Sequence, residues 1–167
     1  WAWKNLDADY IGLVHYRRYF TCKEVYNING KKKAILTGND WLRLVAQYPV
    51  VVANKRRYYI ESNRSHYNHA HHSIGLDETE NIIREIYPEY SQAFAIVCKR
   101  TWAHMFNMFV MRRDLLNEYC EWLFAVLSEL EKRLDISSFD VYQSRVFGFV
   151  GERLLDVWLE TNHICYA

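Results

Sequence analysis

Three runs, YIGLVH at 10–15, PVVVAN at 49–54 and AHMFNMFVM at 103–111, are apolar without the every-second-residue alternation of a strand that has one wet face. Such runs suit strands covered on both sides. Helical periodicity lies between and after them. Asn39 or Asp40 is placed to cap WLRLVAQ, Thr79 to cap ENIIREIY, and Pro88 to sit in the first turn of PEYSQAFAIVCKR. Leu115, Leu116, Tyr119, Leu123, Val126, Leu127 and Leu130 recur at three-to-four spacing, predicting an amphipathic helix over 114–134. A further helix is predicted over 141–160, followed by an edge strand at HICY. Strands separated by helices predict an α/β fold with a mainly parallel central sheet flanked by helices. With no internal repeat and no linker, residues 1–167 read as one domain.

Half of the residues are hydrophobic, enough to bury a core at this length. The 21 Lys and Arg nearly balance the 20 Asp and Glu, so no global field would hold a nucleic acid, and any anion site must be local. Cys22, Cys98, Cys120 and Cys165 form no CxxC pair and read as reduced thiols of a cytoplasmic protein. No uncharged run approaches the roughly 18 residues of a spanning helix. The chain opens on WAWKNLDADY without a Met, as a domain entered part-way would.

Ligands of open α/β sheets sit beyond the carboxyl ends of the strands. After the run at 10–15 that rim would carry His15, Tyr16, Arg17, Arg18 and Tyr19. Two adjacent guanidiniums there suit a phosphate or carboxylate, since each offers a planar fork of donors; pairing with a nearby acid is the plainer alternative. Asp7 and Asp9 resemble a metal-holding Asp-X-Asp pair, but they precede the strand and would lie at its opposite end.

The segment KRRYYIESNRSHYNHAHHSIGLDE, 55–78, reads as a long functional loop. Tyr58, Tyr59, His66, His69, His71 and His72 are its substrate-contacting candidates. Four histidines in seven residues also admit a transition metal, but no known ligand spacing is present, so no metal is expected. Asp140, Gln143 and Arg145 fall at a helix start, where an anion or a reacting carboxylate can be held, although Asp140 also suits a simple N-cap. Glu152, Arg153 and Asp156 follow, and surface electrostatics would account for them equally well.

LDADYIGLVHYRRYF, YYIESNRSHYNHAHH, RTWAHMFNMFVMRRDLLNEYCEWLF and DVYQSRVFGFVGERLLDVWLETN, in that order, resemble a bacterial glycosyltransferase family of capsular and exopolysaccharide loci, long labelled a domain of unknown function. The resemblance implies a GT-A-like nucleotide-binding fold, here without its N-terminal βα unit. It also implies transfer of a sugar from a nucleotide-diphosphate donor to a glycan or lipid-linked glycan, in the cytoplasm or at the inner face of the membrane. On that comparison His15, Arg17, Arg18 and Asn107 would contact the donor, Arg17 and Arg18 replacing a metal, although a divalent cation stays compatible. Asp140, with Glu152 second, would take the acceptor proton. A metal-dependent hydrolase using the histidines with Asp77, and a non-catalytic glycan- or RNA-binding module using KRRYY, are the alternatives.

Overall fold

The computed structural model describes the backbone of all residues except 29 and 30, and the side chains outside 22–34. Asn29-Gly30, a pair whose sequence reads as a solvated turn ahead of the lysines at 31–33, and the side chains of Cys22 and Lys31 to Lys33 lie outside the described residues. In chain order the elements are α1 (Ala2–Asn5), β1 (Tyr10–Leu13), β2 (Thr21–Ile28), β3 (Lys31–Ile35), α2 (Gly38–Gln47), β4 (Val50–Val52) and β5 (Arg56–Arg57). There follow α3 (Asn63–Ala70), α4 (Ile74–Ile86), α5 (Ser91–Lys99), β6 (Trp102–Ala103), β7 (Phe109–Arg112), α6 (Arg113–Arg133) and α7 (Val146–Thr161).

The three apolar runs do meet in one sheet, in the order β1-β7-β4. Its described ladders are antiparallel, not parallel as expected: Ile11 lies opposite Met111, and Val51 opposite Val110. Lack of alternation reports burial on two faces, and burial does not set strand direction. A parallel relation survives between β1 and β4, which both oppose β7, and in the bridge from Val50 to Tyr166 that brings the chain end alongside β4.

Alternation along β4 divides two cores. Val50 and Val52 join Phe109, Met111 and the helices α4 to α7 in the main core, whereas Val51 joins Phe20 and Met108 under Trp41 and Leu44 of α2. The sheet is therefore the middle of three layers. The covering of β1 is less complete than its sequence suggested: Ile11 is buried, but Leu13 and Val14 are about half exposed.

Local chemistry explains the remaining departures. Thr37, not Asn39, caps α2, and Asp40 completes the capping box by accepting from the Thr37 backbone N–H at 2.8 Å. Thr79 lies inside α4, where its hydroxyl donates to the Gly75 carbonyl at 2.6 Å. Most of the predicted loop 55–78 is helix, because Ser62 caps α3 through the Ser65 N–H and Tyr67 anchors it in the core. The run 103–111 breaks where Phe106 and Asn107 take left-handed backbone, with φ of 77° and 50°. The predicted helix 141–160 begins as a short 3-10 turn, Gln143–Arg145, before α7.

A Cβ on Gly75 of α4 would lie 2.4 Å from Val146 Cγ2 of α7 and 2.7 Å from the Tyr67 hydroxyl of α3. Gly75→Ala is therefore expected to destabilise the fold by about 1–3 kcal/mol, the usual range for overpacking, as read by urea unfolding. An unchanged midpoint would show that these helices can separate freely.

Candidate active site

Because β1 and β4 both oppose β7, the ends of β1 at Leu13 and β4 at Val52 face the start of β7 at Phe109. The segments after β1, after β4 and before β7 therefore share one end of the sheet. After β1 the chain turns, with the Arg18 N–H donating to the His15 carbonyl at 2.9 Å and the Arg17 N–H to His15 Nδ1 at 3.3 Å. Arg17 lies over the Tyr16 ring at 4.8 Å, and Arg18 over Phe106 at 3.8 Å. Arg18, Asn54, Phe106 and Met108 line a cavity of about 530 Å³.

The far side of Phe106 reaches α7. Its backbone N–H donates to Glu152, whose carboxyl is pushed above the ordinary range by burial, more than the neighbouring Arg153 lowers it. Arg153 is buried as well, and its Nη1 donates to the Phe149 carbonyl at 2.7 Å and lies 3.4 Å from Glu152. Four groups close to this guanidinium have buried atoms without a hydrogen-bond partner among the described residues: the Tyr58 and Tyr67 hydroxyls and Nδ1 of His66 and His71. Burial raises the Tyr58 phenol and pushes that of Tyr67 up to about 12. Burial, reinforced by Arg153, lowers His66 and pushes His71 down to about 4. These shifts all favour neutral rings around the Arg153 guanidinium, with Glu152 beside it.

Of the residues singled out in the sequence, Tyr58, His66, His71 and Glu152 come together around Arg153, with Arg18 on the other side of Phe106 and Asn107 in the turn itself. Two histidines diverge: His69 pairs with Glu61 and His72 packs on Phe139 at 4.7 Å, whereas His71 stays beside Arg153, stacked on Phe149 at 3.8 Å. Among the described residues no group of three His, Cys, Asp or Glu is placed to hold a metal. Tyr59 is 83% exposed. Asp140 is exposed and accepts from the Gln143 N–H at 2.7 Å, the capping role, while the Gln143 amide donates to the Ala70 carbonyl and Arg145 lies over Phe149. Arg153 and Asp156, for which surface electrostatics was the plainer alternative, are both buried.

Sequence reasoning missed His104. Its backbone N–H donates to Asp156 Oδ2 at 2.8 Å, its Nδ1 lies 2.5 Å from Asp156 Oδ1, and both side chains are buried. The available signal was an Asp inside LLDVWL, an apolar helical run in which a carboxylate must find a partner.

Residues 1–163 match the family described as a domain of unknown function, DUF4422, and the chain belongs to that family. The apo structure of the WbbM bifunctional glycosyltransferase superimposes on 100% of this chain with a TM-score of 0.82 at 23% identity. The match covers 34% of that protein, so the chain spans about a third of its length. No curated protein matched the sequence. The fold is thus an α/β fold shared with a region of a glycosyltransferase structure.

The depressed His71 couples the site to stability. The unfolded chain protonates this ring near 6.5 and the folded one near 4, so its stabilising contribution is complete above 6.5 and is lost as pH falls towards 4. His71→Phe, which keeps the stack on Phe149, should flatten the fall in melting temperature between these values. An unaltered pH dependence would place the titrating group elsewhere.

Proposed function

We propose that the chain is the catalytic part of a glycosyltransferase that moves a sugar from a nucleotide-diphosphate donor to a hydroxyl of a growing bacterial capsular or exopolysaccharide glycan. The observation that carries this reading is the meeting of Arg18, the Phe106 turn and Glu152 at one end of the sheet, in a fold shared with the WbbM glycosyltransferase. The resemblance to polysaccharide-locus enzymes supplies the glycan class. The setting is the cytoplasm or the inner face of the membrane, where a free or lipid-linked acceptor would be met; among the described residues no helix is long and apolar enough to cross a membrane.

In this reading the donor's diphosphate lies along the cavity beside Arg18, and His15, Arg17 and Asn107, from the two segments that flank it, are its further contacts. The acceptor oxygen forms a bond to the anomeric carbon as the bond from that carbon to the phosphate oxygen breaks, and the electron pair leaves with the nucleoside diphosphate. Cationic donors fixed in advance stabilise that growing charge without reorganising. The acceptor proton passes to a carboxylate. Of the two candidates the role falls to Glu152, which is partly buried and of raised basicity, whereas the Asp140 carboxylate is engaged in capping. Tyr58 and His66, neutral and close to Glu152 and Arg153, serve as hydrogen-bond partners of sugar hydroxyls.

A panel of nucleotide sugars, assayed with and without chelator, tests the reading. Glu152→Gln should reduce transfer by about 10²–10⁴-fold, the range for loss of a general base. Arg18→Ala should reduce it by at least about tenfold, with only partial recovery in Arg18→Lys, which lacks the planar fork. Because burial raises the Glu152 carboxyl, the acid limb of the rate profile should lie above the pH of a free carboxylate. Wild-type turnover in Glu152→Gln would remove the base assignment, and saccharide binding without transfer would make the chain a recognition module.

A further inference from the structure

Behind the Arg18 cavity, and sharing Val52, Ala53, Asn54 and Ala167 with it, lies a second cavity of about 360 Å³. Its other lining residues are Lys55, Arg57, His104 and Tyr166, so three nitrogen bases and an amide face it and no acidic side chain does. His104 is 3% exposed, with Nδ1 and the backbone N–H committed to Asp156. Its Nε2 has no hydrogen-bond partner among the described residues. Asp156 thus fixes the orientation of the ring and leaves Nε2 free for a ligand.

The cations at the rim are also unspent. β5 pairs with β6, Arg57 opposite Trp102, and along this two-stranded ribbon successive side chains alternate between faces. Arg56 lies over the Tyr58 ring on the Glu152 side, while Lys55 and Arg57, two residues apart, line the second cavity. Lys55 is held over Trp102 at 3.9 Å. Among the described residues neither Lys55 nor Arg57 has a carboxylate partner, whereas Arg64, Arg100, Arg112 and Arg133 all do.

We propose that this cavity is an oxyanion subsite in which His104, Lys55 and Arg57 hold a phosphate group. A tetrahedral phosphate accepts from several directions, which suits an imidazole fixed on the floor and two flexible cations at the rim. The subsite rests on the transferase reading and extends it: the phosphate belongs either to the donor's diphosphate or to a phosphate-bearing acceptor.

Titration calorimetry of the full chain with inorganic phosphate, uridine diphosphate and a hexose 1-phosphate tests this without turnover. Wild-type protein should bind inorganic phosphate, and binding should weaken with added salt. Lys55→Ala and Arg57→Ala, both at exposed positions, should each weaken it by about tenfold, with Lys132→Ala as a charge-matched control that does not. His104→Gln should weaken it at least as much; if that variant fails to fold, the two rim variants still decide. Tighter binding of uridine diphosphate supports a donor phosphate, tighter binding of hexose 1-phosphate an acceptor phosphate, and equal binding a subsite that reads phosphate alone. Absence of phosphate binding at about 10 mM, or binding indifferent to both rim substitutions, overturns the proposal. Failure of every nucleotide sugar in the transfer assay would instead overturn the transferase reading and leave the isotherms to stand by themselves.

Discussion

Two carboxylates one helical turn apart on α7 hold the irregular segment on which the site depends. Glu152 accepts from the Phe106 N–H and Asp156 from the His104 N–H, two residues earlier in the chain. Between β6 and β7 the backbone passes through left-handed Phe106 and Asn107, and a buried segment of that shape has no ladder partner for its N–H groups. Burying an ionised carboxylate is unfavourable unless it is matched by charge-assisted hydrogen bonds. Here each deficit answers the other: the turn needs acceptors and the buried carboxylates need donors. The turn in turn places Phe106 under Arg18, so the rim of the sheet and the middle of α7 become one site.

The limits of what the sequence shows follow from the same physics. The runs of β4 and β7 were legible because burial removes alternation, and that of β1 by its apolar composition although only Ile11 in it is buried; direction was not legible, since β1 and β4 keep the same composition with antiparallel β7 between them. The histidine-rich stretch read as a loop because Asn, Ser and His are weak helix formers; Tyr67, fully buried, and the Ser62 cap override that propensity in α3. Arg18 and Glu152 could be singled out by residue type and position. Arg153 could not be placed, because a charged residue at helical spacing has the same one-dimensional signature on a wet face as in a core, and only the packing of α7 against α5 and α6 decides between them; the apolar run around Asp156 marks it as buried but does not name His104 as its partner.

The β5–β6 ribbon acts as a partition. Alternation over three residues sends Arg56 towards Tyr58 and Glu152 and leaves Lys55 and Arg57 on the opposite cavity, so one short basic stretch serves two compartments with different chemistry. On the first side the charge is shared with Glu152 and the rings are neutral; on the second, Lys55 and Arg57 meet the imidazole of His104, whose acid, Asp156, is bound to its Nδ1.

Within the first compartment the net effect of Arg153 is set by competition. As a nearby cation it favours ionised Glu152, but burial acts more strongly in the other direction, and the carboxyl ends above its ordinary range. The guanidinium feels the same burial and is itself lowered. A carboxylate exposed to solvent would be a weaker base, and one buried without a cation would stay protonated and accept no proton. In the adjacent pair both shifts run the same way, towards the less charged form, because burial of the two groups outweighs their mutual attraction.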